Sequence, residues 1–393
     1  MSKFTQLIKH PSVWITVVIV GTVVLSALSG GLAGAWMAAR IVPSSNPGNF
    51  RVLSATSTAN GTATQTAVSS TSIKLVSVQM QDSSERVVPE PIFNRRSPVG
   101  LIYARKKAFG DSLLVNQDLQ GRVVAMTSDG WFVTPPQVIA GWRVAEMLVW
   151  YDGHAYKIEK AILDKSTQAV FLKTSARDLP AIPFADLWST RTGLAAWIES
   201  APSELAPSSV EALRAVIEND PVSSDHAYRR LVAQGTLRKE EQGSPVWDAK
   251  GALIGIAESS ADGRLSLIPG SSLSASLQSL VGSGQISHAL LGVYSLDRGL
   301  IRLATTVTDM PNRGAWITGR AILKDSVAEK AGLKINDVIL QVDRDIMDGS
   351  SDLSDIILQY RPGSNVTLRL WRAGKEIEVS VTLGTQITSE AIL

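Results

Sequence analysis

Apolar and polar positions along the chain fall into four regimes. Between Pro11 and Ala39 apolar residues run on without a single charge, bracketed by His10 and Arg40. About twenty such residues suffice to cross a bilayer, so the pattern predicts one transmembrane helix over residues 13–39. Lys3 and Lys9 precede it, while Arg40 and Arg51 follow. That weak positive-inside bias keeps residues 1–12 in the cytoplasm and puts the rest of the chain outside. The alternative is a signal peptide cleaved near Ala33 to Ala35, for which the span is long beside an apolar region of roughly 7–15 residues. Ser26, Gly30, Gly34 and Ala38 make a small-residue stripe that lets helices approach closely or is simply tolerated in lipid.

Residues 40–75 are dominated by Ser, Thr, Ala, Asn and Gly, with little to bury, which predicts a flexible tether. Asn60-Gly61-Thr62 fits a glycosylation sequon, a match as readily due to chance in so Ser/Thr-rich a stretch. From 76 to 285, short β-branched runs such as GRVVAMTS, EMLVWYDG, QAVFLKT and GALIGIAES alternate with Gly, Asp and Asn turns. This is the signature of antiparallel strands in a barrel or sandwich. One stretch departs from it. Ser208 and Glu211 have capping-box spacing, Val210, Leu213, Val216 and Ile217 recur at helical intervals, and a second helix is expected from Asp225 to Ala233. Residues 205–234 are thus predicted to be a helical insertion. From 286 to 388 the pattern is mixed α+β. Ser350 or Ser351 is expected to cap a helix carrying Leu353, Ile356, Ile357 and Tyr360 on one face, ended by Arg361-Pro362-Gly363. Val366, Leu368 and Leu370, a turn at Ala373-Gly374, and Ile377, Val379 and Val381 then read as a hairpin.

Composition narrows the chemistry. The 393 residues are 45% hydrophobic and 19% charged, with a net charge of +2. So balanced a charge argues against nucleic acid as a partner, since phosphate neutralisation needs a dense basic face. There is no cysteine, which removes thiolate metal sites, disulfides and cysteine nucleophiles. The four histidines, His10, His154, His226 and His288, show no metal-ligand spacing, and no metal or cofactor is implied.

Three separated segments point the same way. GWFVTPPQVIAG (130–141) resembles the strand and turn that carry the catalytic histidine in trypsin-like proteases of the HtrA family. GSPVWDAKGALIGIAES (243–259) resembles the segment following the nucleophile. LSLIPGSSLSASLQSLVGSGQISHALLGV (265–293) resembles the passage from the last barrel strand through a helix into a PDZ domain. The resemblance covers roughly residues 76–385. It implies a mostly β chain, a trypsin-like double antiparallel β-barrel followed by an α+β PDZ domain, here preceded by one transmembrane helix.

Matched residue by residue, the catalytic positions are replaced. Gln137 stands where the family has its histidine, and an amide cannot act as a general base near neutral pH. Gln168 stands at the aspartate position, or Thr167 if one gap is allowed. Gln242 stands at the serine position, with Glu240 where an oxyanion-hole glycine is expected and Glu241 beside it. Two carboxylates there oppose a developing oxyanion. Ser244 reads as a small turn residue before Pro245, and neither His154 nor His226 matches the base. KDSVAEKAGLKINDVILQVDRDIM (324–347), by contrast, resembles an intact PDZ core, with Asn336 at a left-handed position that Asn tolerates. The resemblance makes Leu290-Leu291-Gly292-Val293 the loop whose backbone N–H groups hold a peptide's terminal carboxylate, and Leu353 and Ile357 the opposite wall of the groove. The expected function is a membrane-anchored, extracytoplasmic pseudoprotease, a scaffold or regulator that binds C-terminal peptides of envelope or secreted proteins. Its partners would be those peptides, the bilayer, and a homo-trimer or a mixed assembly with an active relative. The alternative is an active HtrA-like serine endopeptidase in envelope protein quality control.

Overall fold

The structure is a computed structural model that describes residues 88–106, 113–202, 204–214, 221–227, 229–301 and 310–392. The expected membrane helix at 13–39 and tether at 40–75 lie outside them. Among the described residues no helix is long and apolar enough to cross a membrane.

The β-branched runs close into two barrels. Strands β1 (Val99–Ala104), β2 (Leu119–Ala125), β3 (Trp131–Thr134), β4 (Met147–Tyr151), β5 (His154–Asp164) and β6 (Ala169–Thr174) form the first. All its pairings are antiparallel, and β5 closes it by pairing with both β4 and β6. Inward residues such as Ile102, Val123, Phe132, Val149, Val170 and Leu172 fill it. The second barrel takes β7 (Ala195–Ala201), β8 (Glu204–Ala212), β10 (Leu231–Gln234), β11 (Pro245–Asp248), β12 (Leu253–Ala261) and β13 (Arg264–Pro269). Between β8 and β10 lies the two-residue β9 (Val222–Ser223).

The helical insertion expected over 205–234 is therefore not formed. Residues 204–212 are a strand because Ser208 and Val210, two apart, both face inward, Val210 into the barrel core. Ser208 does not cap a helix; its hydroxyl donates to the Gln234 carbonyl across the sheet (2.6 Å). The second expected helix, 225–233, is replaced by irregular backbone and β10. Helical spacing in a short segment lost to the closure of a barrel that needs β8 between β7 and β10.

Of the helices, α1 (Glu90–Phe93) precedes the first barrel, α2 (Pro136–Ile139) follows β3, and α3 (Gly270–Ser283) follows β13. The last of these ends on Gly284 at φ 75°, a left-handed C-cap. The chain then enters the PDZ domain. It contains β14 (Ser287–Leu290), β15 (Val293–Asp297), β16 (Ala315–Ile322), α4 (Val327–Lys330), β17 (Val338–Val342), β18 (Asp345–Ile346), α5 (Leu353–Ile357), β19 (Asn365–Arg372), β20 (Lys375–Thr382) and β21 (Gly384–Ile387). The expected hairpin is β19–β20, with Ala373 and Gly374 both at positive φ in the two-residue turn. Asn336 is left-handed at φ 74°, as its place in the PDZ core predicts. The cap of α5, however, is Asp352 in a capping box with Asp355, not Ser350 or Ser351. Ser350 instead bonds Asp348. The helix stops at Ile357, so Tyr360 packs on the domain from beyond its end.

The chain's last strand, β22 (Ser389–Ile392), leaves the PDZ domain and pairs with β5, opposite residues 161–164. It converges there on Asp164, which is fully buried. Its carboxylate accepts from Ser166 N–H (3.0 Å), Thr167 Oγ1 (2.8 Å), Ser276 Oγ on α3 (2.6 Å) and Thr388 Oγ1 (2.6 Å). His288 Nε2 on β14 lies 2.9 Å from Oδ2. Burial alone pushes this carboxyl up, but His288, Ser276 and Thr388 together hold it well below the usual carboxylate range.

A folded-state pKa below the unfolded value of about 3.9 means that the stabilisation is complete above that pH and is lost as pH falls below it. Asp164→Asn should cost about 3–5 kcal/mol in urea unfolding followed by tryptophan fluorescence. It should also flatten the acid limb of the stability profile below about pH 4. An equally steep acid limb in the variant would assign it to other carboxylates.

Candidate functional site

The first degenerate position, Gln137, is exposed on α2, just past the end of β3. The second, Gln168, sits at φ 58° in the β5–β6 turn, exposed, with Nε2 donating to the Lys165 carbonyl (2.9 Å). Thr134 pairs with Val170, so the β3–β6 register brings both turns to one end of the first barrel. Thr167, the other choice at this position, is buried and spent on Asp164. The third, Gln242, half-buried, arrives from the second barrel. Its carbonyl accepts from Arg122 N–H on β2 (2.7 Å). Gly121 marks the meeting point: a Cβ there would fall 2.7 Å from the Gln242 carbonyl and 2.7 Å from a Val138 methyl. The fold thus brings Gln137 and Gln242 to the same cleft. No hydrogen bond joins the three amides.

The loop before Pro245 is locally closed. Residues Lys239–Glu241 form a 3₁₀ turn, boxed by Arg238, whose guanidinium lies 2.6 Å from Glu241. Burial pushes the Glu241 carboxyl up, but Arg238 outweighs it and holds the group below its ordinary value. The Gln242 N–H donates back to Lys239 O (3.2 Å), Gly243 N–H to Ala257 O (2.7 Å) and Ser244 N–H to Glu241 O (3.1 Å). Ser244 is fully buried, and its hydroxyl donates to the Glu241 carbonyl at 2.6 Å. Backbone donors that could face an oxyanion, and the nearest hydroxyl, are already engaged. Of the two other histidines near the barrels, His154 is exposed at the start of β5, and His226 follows β9.

In the PDZ domain, Leu291, Val293, Leu353 and Ile357 belong to one buried core, while Leu290 is half-buried. Gly292 has φ 85°, and a Cβ there would meet Ser326 Cβ at 2.5 Å, so the loop needs glycine. The loop's donors all point to one segment. Leu291 N–H (2.9 Å) and Gly292 N–H (3.1 Å) donate to Oδ1 of Asp225, and Val293 N–H donates to Ser224 Oγ (3.2 Å). Ser224 N–H returns a bond to the Val293 carbonyl (2.8 Å). The ladder continues as β9 against β15, antiparallel, with Ser223 opposite Tyr294 and Val222 opposite Ser295. Arg229 reaches Asp355 on α5 (3.3 Å), both side chains buried, and Arg214 bridges Asp297 (2.9 Å) and the α5 cap Asp352 (2.7 Å). None of these partners was visible in the sequence, because Asp225 lies inside a stretch that reads as helix and carries no local motif.

Residues 307–383 match the PDZ domain family model. A probable periplasmic serine endoprotease, DegP-like, of Chlamydia trachomatis is 26% identical over 286 residues, 69% of this chain and 55% of that protein. The periplasmic pH-dependent serine endoprotease DegQ of Escherichia coli is 24% identical over 73% of this chain and 65% of its own length. The chain spans a little over half the length of most of these curated relatives. A solved HtrA-type protease, AlgW with tripeptide, superposes with a TM-score of 0.53 at 21% identity, covering 75% of this chain and 96% of that one. The chain is similar to HtrA-type serine proteases over its barrels and matches the PDZ domain model after them. Both barrels and the PDZ core are thus in place, with Gln137 and Gln242 meeting where the barrels touch and Gln168 in a turn at the same end of the first barrel.

Gly243 ties this cleft together, at φ 92° with a Cβ position only 2.1 Å from the Arg122 carbonyl. Gly243→Ala should therefore destabilise the HtrA-like body by at least about 2 kcal/mol, seen as a lowered urea midpoint with unchanged slope.

Proposed function

We propose that the protein is a non-catalytic HtrA-like scaffold or regulator, anchored to the membrane by residues 13–39, whose PDZ domain binds C-terminal peptides of envelope or secreted proteins. The observation that carries this reading is the set Gln137, Gln168 and Gln242 at the three positions where the trypsin-like mechanism needs a base, its orienting carboxylate and a nucleophile. Acyl transfer requires the hydroxyl, the imidazole and the carboxylate at once. An amide at the base position cannot take the proton, and the buried Ser244 hydroxyl is turned to the Glu241 carbonyl rather than to any imidazole. The periplasmic relatives support an extracytoplasmic body.

The PDZ side of the reading rests on backbone chemistry that survives intact. The edge of β15 takes an added strand, here β9, and the N–H groups of Leu291 and Gly292 converge on one carboxylate oxygen while Val293 N–H meets the Ser224 hydroxyl. Homo-trimers or mixed assemblies with an active relative are the natural settings for such a scaffold. The second reading, an active endopeptidase, draws on the relatives, which are named as serine endoproteases.

Two measurements on the full chain separate these readings. A fluorophosphonate probe should label it no more than a denatured control does; labelling that disappears in Ser244→Ala would restore the enzyme. A fluorescein-labelled decapeptide pool ending in Leu with a free carboxylate should bind about tenfold more tightly than the same pool amidated. Equal binding of the two pools would remove carboxylate recognition.

A further inference from the structure

We propose that Val222–Asp225 is a built-in ligand that holds the PDZ groove shut, and that a carboxyl-terminated peptide binds by displacing it. This regulation rests on the peptide-binding reading above. The segment occupies both backbone elements of the recognition surface, the edge of β15 and the N–H groups of the 291–293 loop. Its backbone adds antiparallel to the edge strand β15, as a bound peptide would. Ser224 exchanges its N–H for the Val293 carbonyl and offers its hydroxyl to the Val293 N–H. The Asp225 side chain supplies the carboxylate, whose Oδ1 takes the N–H groups of Leu291 and Gly292 and the Ser224 hydroxyl (2.7 Å).

The fit is incomplete in a way that favours exchange. Oδ2 of Asp225 is buried with no hydrogen-bond partner, so one oxygen of the stand-in carboxylate is left desolvated and unpaired. The buried side chains that the segment lays along the groove are two serines and an aspartate, with Val222 only half-buried. A free chain terminus can bring a carboxylate with both oxygens available and an apolar last side chain, which the segment lacks. Arg229 on Asp355 and Arg214 on Asp297 and Asp352 clip the flanks of the segment to the two walls of the groove, β15 and α5. The segment belongs to the second barrel's β8–β10 connection, so a peptide entering the groove releases a piece of the HtrA-like body.

When the competent state is a small fraction of the population, apparent affinity falls by that fraction. Removing the Asp225 carboxylate takes away charge-assisted bonds and should raise that fraction roughly tenfold or more. The chain has no cysteine, which permits a clean lock. In the full chain, Ser223→Cys with Tyr294→Cys, Cα partners in the ladder, should form a disulfide on oxidation. The oxidised protein should bind the free-carboxylate Leu pool at least about tenfold more weakly than the same protein reduced, with neither single variant responding to oxidant. Asp225→Ala should bind the pool about tenfold more tightly than the unmodified chain.

Equal binding by oxidised and reduced forms, or cysteines that fail to couple, overturns the built-in ligand and leaves peptide recognition standing. If no form, Asp225→Ala and the reduced pair included, binds the pool, peptide recognition at this groove is overturned and the exchange with it.

Discussion

A single buried carboxylate, Asp164, holds together parts of the chain that lie more than two hundred residues apart. It ends β5, takes the hydroxyls of Ser276 from α3 and Thr388 from the segment before β22, and faces His288 on the first strand of the PDZ domain. A charge with no water around it persists only if every lone pair is met, and here five donors surround two oxygens. Because the donors come from the first barrel, the linking helix and both ends of the PDZ domain, satisfying Asp164 also sets how the PDZ domain docks on the barrels. The β8–β10 connection meets the groove in that docked arrangement, where the β9–β15 pairing and the Arg214 and Arg229 ion pairs add further ties.

The same node explains part of the cleft. The turn that satisfies Asp164 through Ser166 and Thr167 is the turn that carries Gln168. The exposed Gln168 amide is itself satisfied locally, donating to Lys165 O. The cleft's geometry therefore survives as structure: Gly121 and Gly243 still allow the two barrels to meet through Arg122 N–H and Gln242 O.

Much of this was legible in the residues. Alternating short strands marked the body as an antiparallel barrel or sandwich, and the HtrA resemblance of the 130–141 and 243–259 segments resolved it as two barrels. The structure brings Gln137, in the first of these segments, together with Gln242, just before the second. The β19–β20 hairpin followed from alternation and a two-residue turn. What failed shared one physical cause, competition between local pattern and distant closure. Ser208, Glu211 and Val210 satisfy a helix rule over four residues, but the barrel needs a strand between β7 and β10 and offers Ser208 a cross-strand carbonyl instead. Asp352 outcompetes Ser350 as a cap because Asp355 completes its box and Arg214 pairs with it. Asp164–His288 and Asp225–Leu291 are contacts over 124 and 66 residues, and no window along the chain contains both partners.

Backbone N–H groups of tight turns are the resource on which both halves of an HtrA-like chain depend, and here they are spent in two different ways. In the 239–244 turn most of the bonds are local, from Gln242 to Lys239 and Ser244 to Glu241, so opening them means unwinding the turn itself. In the 291–293 loop the acceptors belong to a segment 66 to 69 residues earlier in the chain. Gly292 and the packed Leu291 and Val293 give that loop contacts of its own besides those to the segment. A local closure is permanent on the timescale of the fold, whereas a distant one is a binding equilibrium between tethered parts. The unpaired Asp225 Oδ2 sets that equilibrium short of its limit. The chain therefore combines a turn whose donors are met mostly within itself with a groove whose donors are met by a distant segment.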